Sequence, residues 1–246
     1  MSIFTTITDK KNNSVKQFAV LVDPDKPDNS QIEAISKLSS DAGVDYFFVG
    51  GSLLSKNSLD NCIKILKANS SIPVIIFPGN NLQISSYADA ILFLSLISGR
   101  NPDLLIGNHV IAAPYIKESG LEVIPTAYML IDSGKPTSAL YMSNTMPIPA
   151  DKSDIAACTA MAGEMLGLKM IYLDAGSGAI NPISAKMIES VRANTISPII
   201  CGGGINSPEK AVEDCKSGAD IVVVGNGIEK SSQLIKEVAE AVKSYK

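Results

Sequence analysis

Eight short apolar runs mark the chain: FAVLV (18–22), DYFFVG (45–50), PVIIF (73–77), AILFLSL (90–96), VIPTAYMLI (123–131), KMIYLD (169–174), SPIIC (197–201) and DIVVVG (220–225). Most are continuous rather than alternating, as in strands of a parallel sheet that is covered on both faces. Between them the period lengthens to that of a helix. Ile32, Ile35 and Leu38 form one apolar stripe, and Leu59, Cys62, Ile63 and Leu66 another. Gly43 follows the first of these where a left-handed C-terminal cap belongs. Eight strands alternating with helices predict an α/β fold, a TIM-type (β/α)8 barrel, with an open doubly wound sheet as the alternative.

Two connections break this rhythm. PGNNLQISSYAD, after the third run, has no clear apolar period and little room for a crossover helix. Helix 3 of the barrel is therefore expected to be missing or replaced by an irregular segment, leaving an apolar groove beside strands 3 and 4. The second connection, IDSGKPTSALYMSNTMPIPA (131–150), reads equally well as a surface loop and as a lid over the barrel mouth.

Length and composition narrow the picture further. A chain of 246 residues is a normal size for one such barrel, so residues 1–246 are read as a single domain. A net charge of −4 without a run of Lys or Arg argues against nucleic acid as the partner. It leaves an anionic small substrate open, since backbone N–H groups and a few placed cations hold phosphate. Cys62, Cys158, Cys201 and Cys215 form no CxxC pair and read as thiols of a reducing compartment. With no apolar N-terminal core of a signal peptide and no run of about 20 apolar residues, a cytoplasmic protein without a transmembrane segment is expected.

Candidate chemistry gathers at strand ends. The seventh run leads into CGGGINSPEKA, where Ser207, Pro208 and Glu209 begin a helix after Gly202, Gly203 and Gly204. The eighth leads into Gly225, Asn226 and Gly227. Glycines here let a phosphate approach backbone N–H groups with no Cβ in the way. The sixth ends in YLDAGSGA, adding Tyr172, Asp174, Gly176, Ser177 and Gly178: donors for a short polyol phosphate, with Asp174 as a candidate base. At the opposite rim the first strand ends in DPDKPD. Asp23 and Asp25, separated by Pro24, can face one site, and Ser52 follows the glycines of VGGS. Hard oxygen donors without His or Cys suit Mg²⁺ sharing a diphosphate. The same residues also admit an isomerase or aldolase of sugar phosphates, or a non-catalytic sensor of a phosphate ligand.

LVDPDK, FFVGGS, YLDAGSGA, CGGGI and VVVGN occur in the order and spacing of the geranylgeranylglyceryl phosphate synthase family, which includes the heptaprenylglyceryl phosphate synthases. The resemblance spans nearly the whole chain. LISGRNPDLLIGNHV (96–110) further resembles the branch that holds many archaeal and some bacterial members. It implies Mg²⁺-dependent transfer of a prenyl group from a polyprenyl diphosphate to the 3-hydroxyl of sn-glycerol 1-phosphate, yielding an ether-lipid precursor. It implies Asp23 and Ser52 as metal residues. Glycerol-phosphate contacts carry over to Tyr172, Leu173, Asp174, Ala175, Gly176, Ser177, Gly178, Gly203, Gly204, Gly225 and Asn226, and the assembly to a homo-oligomer. Gly202 is left as a turn residue. Two positions depart from the family pattern: Asp174 stands where Glu is common, and Leu21 where others carry Lys. Lys26 and Arg100 are the candidate replacements for that charge. His109 is expected to be structural.

Overall fold

A computed structural model describes residues 2–245 and closes the eight strands into one parallel barrel in sequence order, the last pairing with the first. The strands are β1 (Gln17–Val22), β2 (Tyr46–Val49), β3 (Val74–Ile76), β4 (Ala90–Leu96), β5 (Glu122–Leu130), β6 (Met170–Asp174), β7 (Ile199–Gly202) and β8 (Ile221–Val224). The α-helices are α1 (Ile3–Asn12), α2 (Asn29–Ala42), α3 (Leu59–Asn69), α4 (Asn108–Ser119), α5 (Ser138–Ser143), α6 (Ser153–Met165), α7 (Ala185–Asn194), α8 (Pro208–Ser217), α9 (Asn226–Lys230) and α10 (Leu234–Ser244), and a π-helical segment (Asp103–Gly107) leads into α4. Each apolar run predicted a strand to within two residues at either end.

The continuous runs have two buried faces because alternate side chains serve different layers. Ala19, Tyr46, Phe48, Leu92, Tyr172 and Val223 fill the barrel interior. Val20, Phe47, Val74, Leu173 and Val222 pack against the surrounding helices. The two apolar helical stripes face this outer layer, and Gly43 caps α2 in the left-handed conformation (φ 68°). Leu38 is the exception in its stripe. It lies at the margin of the buried face and is 39 % exposed.

Between β3 and β4 no helix forms, as expected. The segment is held by Gln83, a buried amide whose Nε2 donates to the Gly51 carbonyl at 2.7 Å. Its Oε1 accepts from the N–H groups of Gly51 (3.3 Å) and Gly79 (3.1 Å). The loop after β3 is thereby fixed to the end of β2. The 131–150 connection is neither plain loop nor featureless lid. It carries α5, and an isolated bridge between Ile131 and Ile148 closes its base.

The N-terminal segment supplies α1, which plugs the bottom of the barrel. Ile7 is fully buried among the interior side chains, and Glu122 at the start of β5 accepts from the N–H groups of Ile3 (2.6 Å) and Phe4 (2.8 Å). Those N–H groups have no intrahelical acceptor, so the carboxylate satisfies them. All four cysteines are free, and burial pushes the Cys62 and Cys215 thiols up to about 12, which makes them inert packing groups. Among the described residues no helix is long and apolar enough to cross a membrane.

Candidate active site

One continuous cavity of about 430 Å³ opens at the C-terminal ends of the strands and takes in both predicted rims and the predicted groove. Tyr172, Asp174, Gly176, Ser177, Gly178, Gly203, Gly204, Gly225 and Asn226 line one end, and Asp23 and Ser52 another. Leu173 and Ala175 do not reach it. Alternation along β6 turns Leu173 into the layer beneath the helices, where Ala175 is also buried, and the Ala175 N–H is already donated to the Gly202 carbonyl.

The loops after β6 and β7 are packed so closely that the lack of side chains at Gly176, Gly203 and Gly204 is a steric necessity. Gly203 has φ 86°, and a Cβ there would lie 2.6 Å from the Gly176 nitrogen. Gly204, at φ 75°, abuts Pro182. The Ser177 hydroxyl donates to Asn226 Oδ1 at 2.8 Å, tying the loops after β6 and β8 together. Gly202 is not a turn residue. It ends β7, pairs with Asp174, and leaves room for Tyr172, whose Oη would be 2.7 Å from a Cβ at this position.

Asp174 lies at the centre, 6 % exposed. Its Oδ1 accepts from the Gly176 N–H at 2.7 Å and its Oδ2 from the Tyr128 hydroxyl at 2.5 Å. Burial raises its pKa, and these two hydrogen bonds oppose the rise by favouring the charged form. Tyr128 and Tyr172 are register partners on β5 and β6, and their phenols are held far above the ordinary tyrosine range by burial, so both remain protonated donors. Phe77 stacks on Tyr172 (centroids 5.0 Å) and meets Tyr128 edge-on (5.7 Å), which completes an aromatic floor beneath the carboxylate.

At the opposite rim Asp23 and Asp25 part company. Asp25 turns toward the loop before α3, where it accepts from the Ser55 N–H, the Ser55 and Ser58 hydroxyls and the Lys56 N–H. It therefore organises the loop, and Asp23 alone faces the cavity. The Asp23 carboxylate lies against Gly51, where a Cβ would come within 3.2 Å of Oδ1, beside Ser52. Partial burial raises the Asp23 pKa, and nearby Glu229 adds to that rise while Lys26 opposes it. Lys26 does enter the site, 2.9 Å from Glu229 and 3.6 Å from Asp23. Arg100 does not. Its guanidinium donates to the Ile97 and Gly99 carbonyls outside the cavity wall.

These donors fit Mg²⁺ in one particular way. Among the described residues no three His, Cys, Asp or Glu side chains come together, so a cage built wholly of protein carboxylates is absent. One carboxylate and one hydroxyl beside backbone without Cβ suit a cation that draws its other ligands from water and substrate phosphate.

The third part of the cavity is apolar. Ile84, Ile91, Phe93, Leu96, Leu104 and Ile116 line an arm that runs past the irregular β3–β4 connection. His109 lies in its wall, buried, edge-on to Phe93 at 4.5 Å, with Nε2 3.2 Å from the Ser95 hydroxyl. Burial lowers its pKa and so favours the neutral ring, while Nδ1 is buried without a hydrogen-bond partner among the described residues. Tyr128, Gln83 and Glu229 are the participants that the sequence reading missed. The nearest signal was Tyr128 within a strand whose other residues are mostly apolar.

Fold and site together define a (β/α)8 barrel whose mouth joins a glycine-lined end, a buried polar centre at Asp174 and a rim that carries Asp23 and Ser52. The PcrB family pattern matches residues 10–242, and the chain belongs to this family. It is 56 % identical over 240 residues to the geranylgeranylglyceryl phosphate synthase of Chitinophaga pinensis, covering 98 % of this chain and 95 % of that one. It is 43 % identical over 229 residues to the synthase of the same name from Korarchaeum cryptofilum, covering 92 % and 94 %. The fold superposes on the crystal structure of (S)-3-O-geranylgeranylglyceryl phosphate synthase from Thermoplasma acidophilum in complex with its substrate sn-glycerol-1-phosphate. The TM-score is 0.93 at 31 % identity, over 99 % of each chain.

Proposed function

We propose that this protein is an Mg²⁺-dependent geranylgeranylglyceryl phosphate synthase, joining a geranylgeranyl group to the 3-hydroxyl of sn-glycerol 1-phosphate and releasing diphosphate. The observation that carries this reading is the threefold division of one cavity: glycine cradle, carboxylate–hydroxyl rim and apolar arm, meeting at Asp174. A sugar-phosphate enzyme or a phosphate sensor has use for the cradle but none for the apolar arm. The full-length relatives named for this activity support the same assignment.

In this account the phosphate of glycerol 1-phosphate rests on the backbone of Gly176–Gly178, Gly203–Gly204 and Gly225–Asn226. The 3-hydroxyl then faces Asp174. As the hydroxyl oxygen bonds to C1 of the prenyl chain, Asp174 takes its proton, and the C1–O bond to diphosphate breaks with its electron pair leaving on diphosphate. Tyr128 and Gly176 fix the orientation of the carboxylate, and its burial makes it a stronger base than a free Asp. Asp23 and Ser52 would hold Mg²⁺, which would supply positive charge to the diphosphate. Phe77, Tyr128 and Tyr172 form a dry floor that keeps water from the allylic carbon. The shorter Asp is compatible with the role of base because Tyr128 reaches across from β5 to position it.

The exposed apolar side chains of Val110, Ile111 and Tyr115 on α4 support a homo-oligomer. The test of function is incubation with radiolabelled sn-glycerol 1-phosphate, Mg²⁺ and a series of polyprenyl diphosphates. Label should pass into the organic phase, most efficiently with geranylgeranyl diphosphate. No extractable label at any chain length ends the reading.

A further inference from the structure

The glycine cradle contains no full positive charge in the set of residues assigned to it, although its ligand is a phosphate monoester. The β5–α5 connection brings one. Both flanks of Lys135 are docked on the loop after β6: the Asn181 N–H donates to the Ser133 carbonyl at 3.1 Å, and Thr137 packs on Gly176, where a Cβ would lie 2.7 Å from Thr137 Oγ1. Gly134 takes φ 83°, a conformation that suits glycine, and Pro136 biases Lys135 toward an extended backbone. The lysine thus leaves a braced segment rather than a free loop.

Its ammonium lies beside Gly178, at the margin of the cradle, although Lys135 is not among the residues that line the cavity. A Cβ on Gly178 would sit 3.6 Å from Lys135 Nζ and 3.4 Å from Asn226 Nδ2, so two nitrogen donors flank this bare backbone. The Asn226 amide is turned this way because its Oδ1 accepts from the Ser177 hydroxyl. Among the described residues Lys135 forms no ion pair, whereas Lys26 at the far rim is held by Glu229 and Asp23. An unneutralised ammonium beside a glycine cradle is what recognition of a phosphate requires, since charge-assisted hydrogen bonds are the strong ones.

We propose that Lys135 is a substrate-binding residue that closes the cradle over Gly178 and donates to the phosphate of glycerol 1-phosphate. This rests on the reading that the cradle holds that substrate. The test is calorimetric titration of wild type, K135A and K135R with sn-glycerol 1-phosphate and, separately, inorganic phosphate, in the absence of prenyl diphosphate. Melting temperatures and steady-state constants are measured alongside. K135A should weaken both ligands about tenfold, the loss expected for one charge-assisted bond to a solvent-accessible lysine. K135R should stay within about threefold of wild type, because it keeps the charge. KM for the prenyl diphosphate and the Tm should not move, and added salt should weaken wild type more steeply than K135A.

Wild-type affinity in K135A overturns the proposal. So does a rise confined to KM for the prenyl diphosphate, or a fall in Tm that tracks the loss of binding. If wild type itself binds neither glycerol 1-phosphate nor inorganic phosphate, the assignment of the cradle fails and this proposal fails with it. That result is distinguishable from a failure of Lys135 alone.

Discussion

Gly203→Ala probes the cradle at its tightest point. The added Cβ would stand 2.6 Å from the Gly176 nitrogen and 2.9 Å from the Ala175 nitrogen and carbonyl carbon, all backbone atoms that no rotamer change can move aside. The φ of 86° adds about 1–2 kcal/mol for an L-residue. Overlap that shifts the 175–176 backbone adds about 1–3 kcal/mol by analogy with overpacked cores. The total of about 2–5 kcal/mol does not exceed the stability of an ordinary domain, so the variant should fold with a Tm lowered by about 4–20 °C. The same shift moves the Gly176 N–H that holds Asp174 at 2.7 Å, so kcat should fall as well as affinity for glycerol 1-phosphate. A lost backbone bond to phosphate is worth about 1.5–3 kcal/mol, or about 10–150-fold in Kd. Gly225→Ala is the control. Its φ is −121°, and the new Cβ meets only Leu21 side-chain atoms at 3.3–3.5 Å, which can yield. It should melt within a few degrees of wild type yet bind glycerol 1-phosphate more weakly. Differential scanning calorimetry and titration calorimetry report the two quantities separately. Gly203→Ala with wild-type affinity and Tm would refute the steric argument.

Tyr128→Phe removes the hydroxyl that favours ionised Asp174, so the pKa of that carboxyl should rise further above its already raised value. Activity requires the deprotonated form and is lost as pH falls through this pKa. The acid limb of the kcat/KM profile should therefore move to higher pH, and an unmoved limb would count against Asp174 as the base. Asp23→Asn should abolish prenyl transfer and leave glycerol 1-phosphate affinity within about threefold of wild type, since Asp23 lines the far rim of the cavity. Equal loss of both in titration and turnover assays would show that Asp23 has a structural role.

Much of this site was legible in the sequence because its chemistry lies at strand ends, where local signals are strong. CGGGI and VVVGN announce a close backbone approach; the first proved too tight for a Cβ at Gly203, whereas at Gly225 a Cβ meets only the Leu21 side chain. DPD announced a carboxylate at a rim, but local spacing could not tell which of the two aspartates faces inward. That depended on the Ser55 and Ser58 hydroxyls, which draw Asp25 away. Tyr128 is 46 residues from Asp174, and only the β5–β6 register brings them together. Gln83 acts from a segment with no periodicity at all. Helix α1 was unread because its single fully buried residue, Ile7, gives too weak a stripe in a polar stretch. Alternation within β6 likewise separates Tyr172 and Asp174 from Leu173, although a contiguous motif gives no hint of the division.

A crystal structure soaked with sn-glycerol 1-phosphate, Mg²⁺ and a non-hydrolysable geranylgeranyl diphosphate analogue tests most directly whether one barrel mouth holds both reactants across Asp174. The phosphate should rest on the Gly176–Gly178, Gly203–Gly204 and Gly225–Asn226 backbone, with the 3-hydroxyl within hydrogen-bond distance of Asp174. The diphosphate should lie beside Asp23 and Ser52 and the chain along Ile91, Phe93 and Ile116. Glycerol phosphate bound elsewhere, or its 3-hydroxyl turned away from Asp174, would contradict this arrangement.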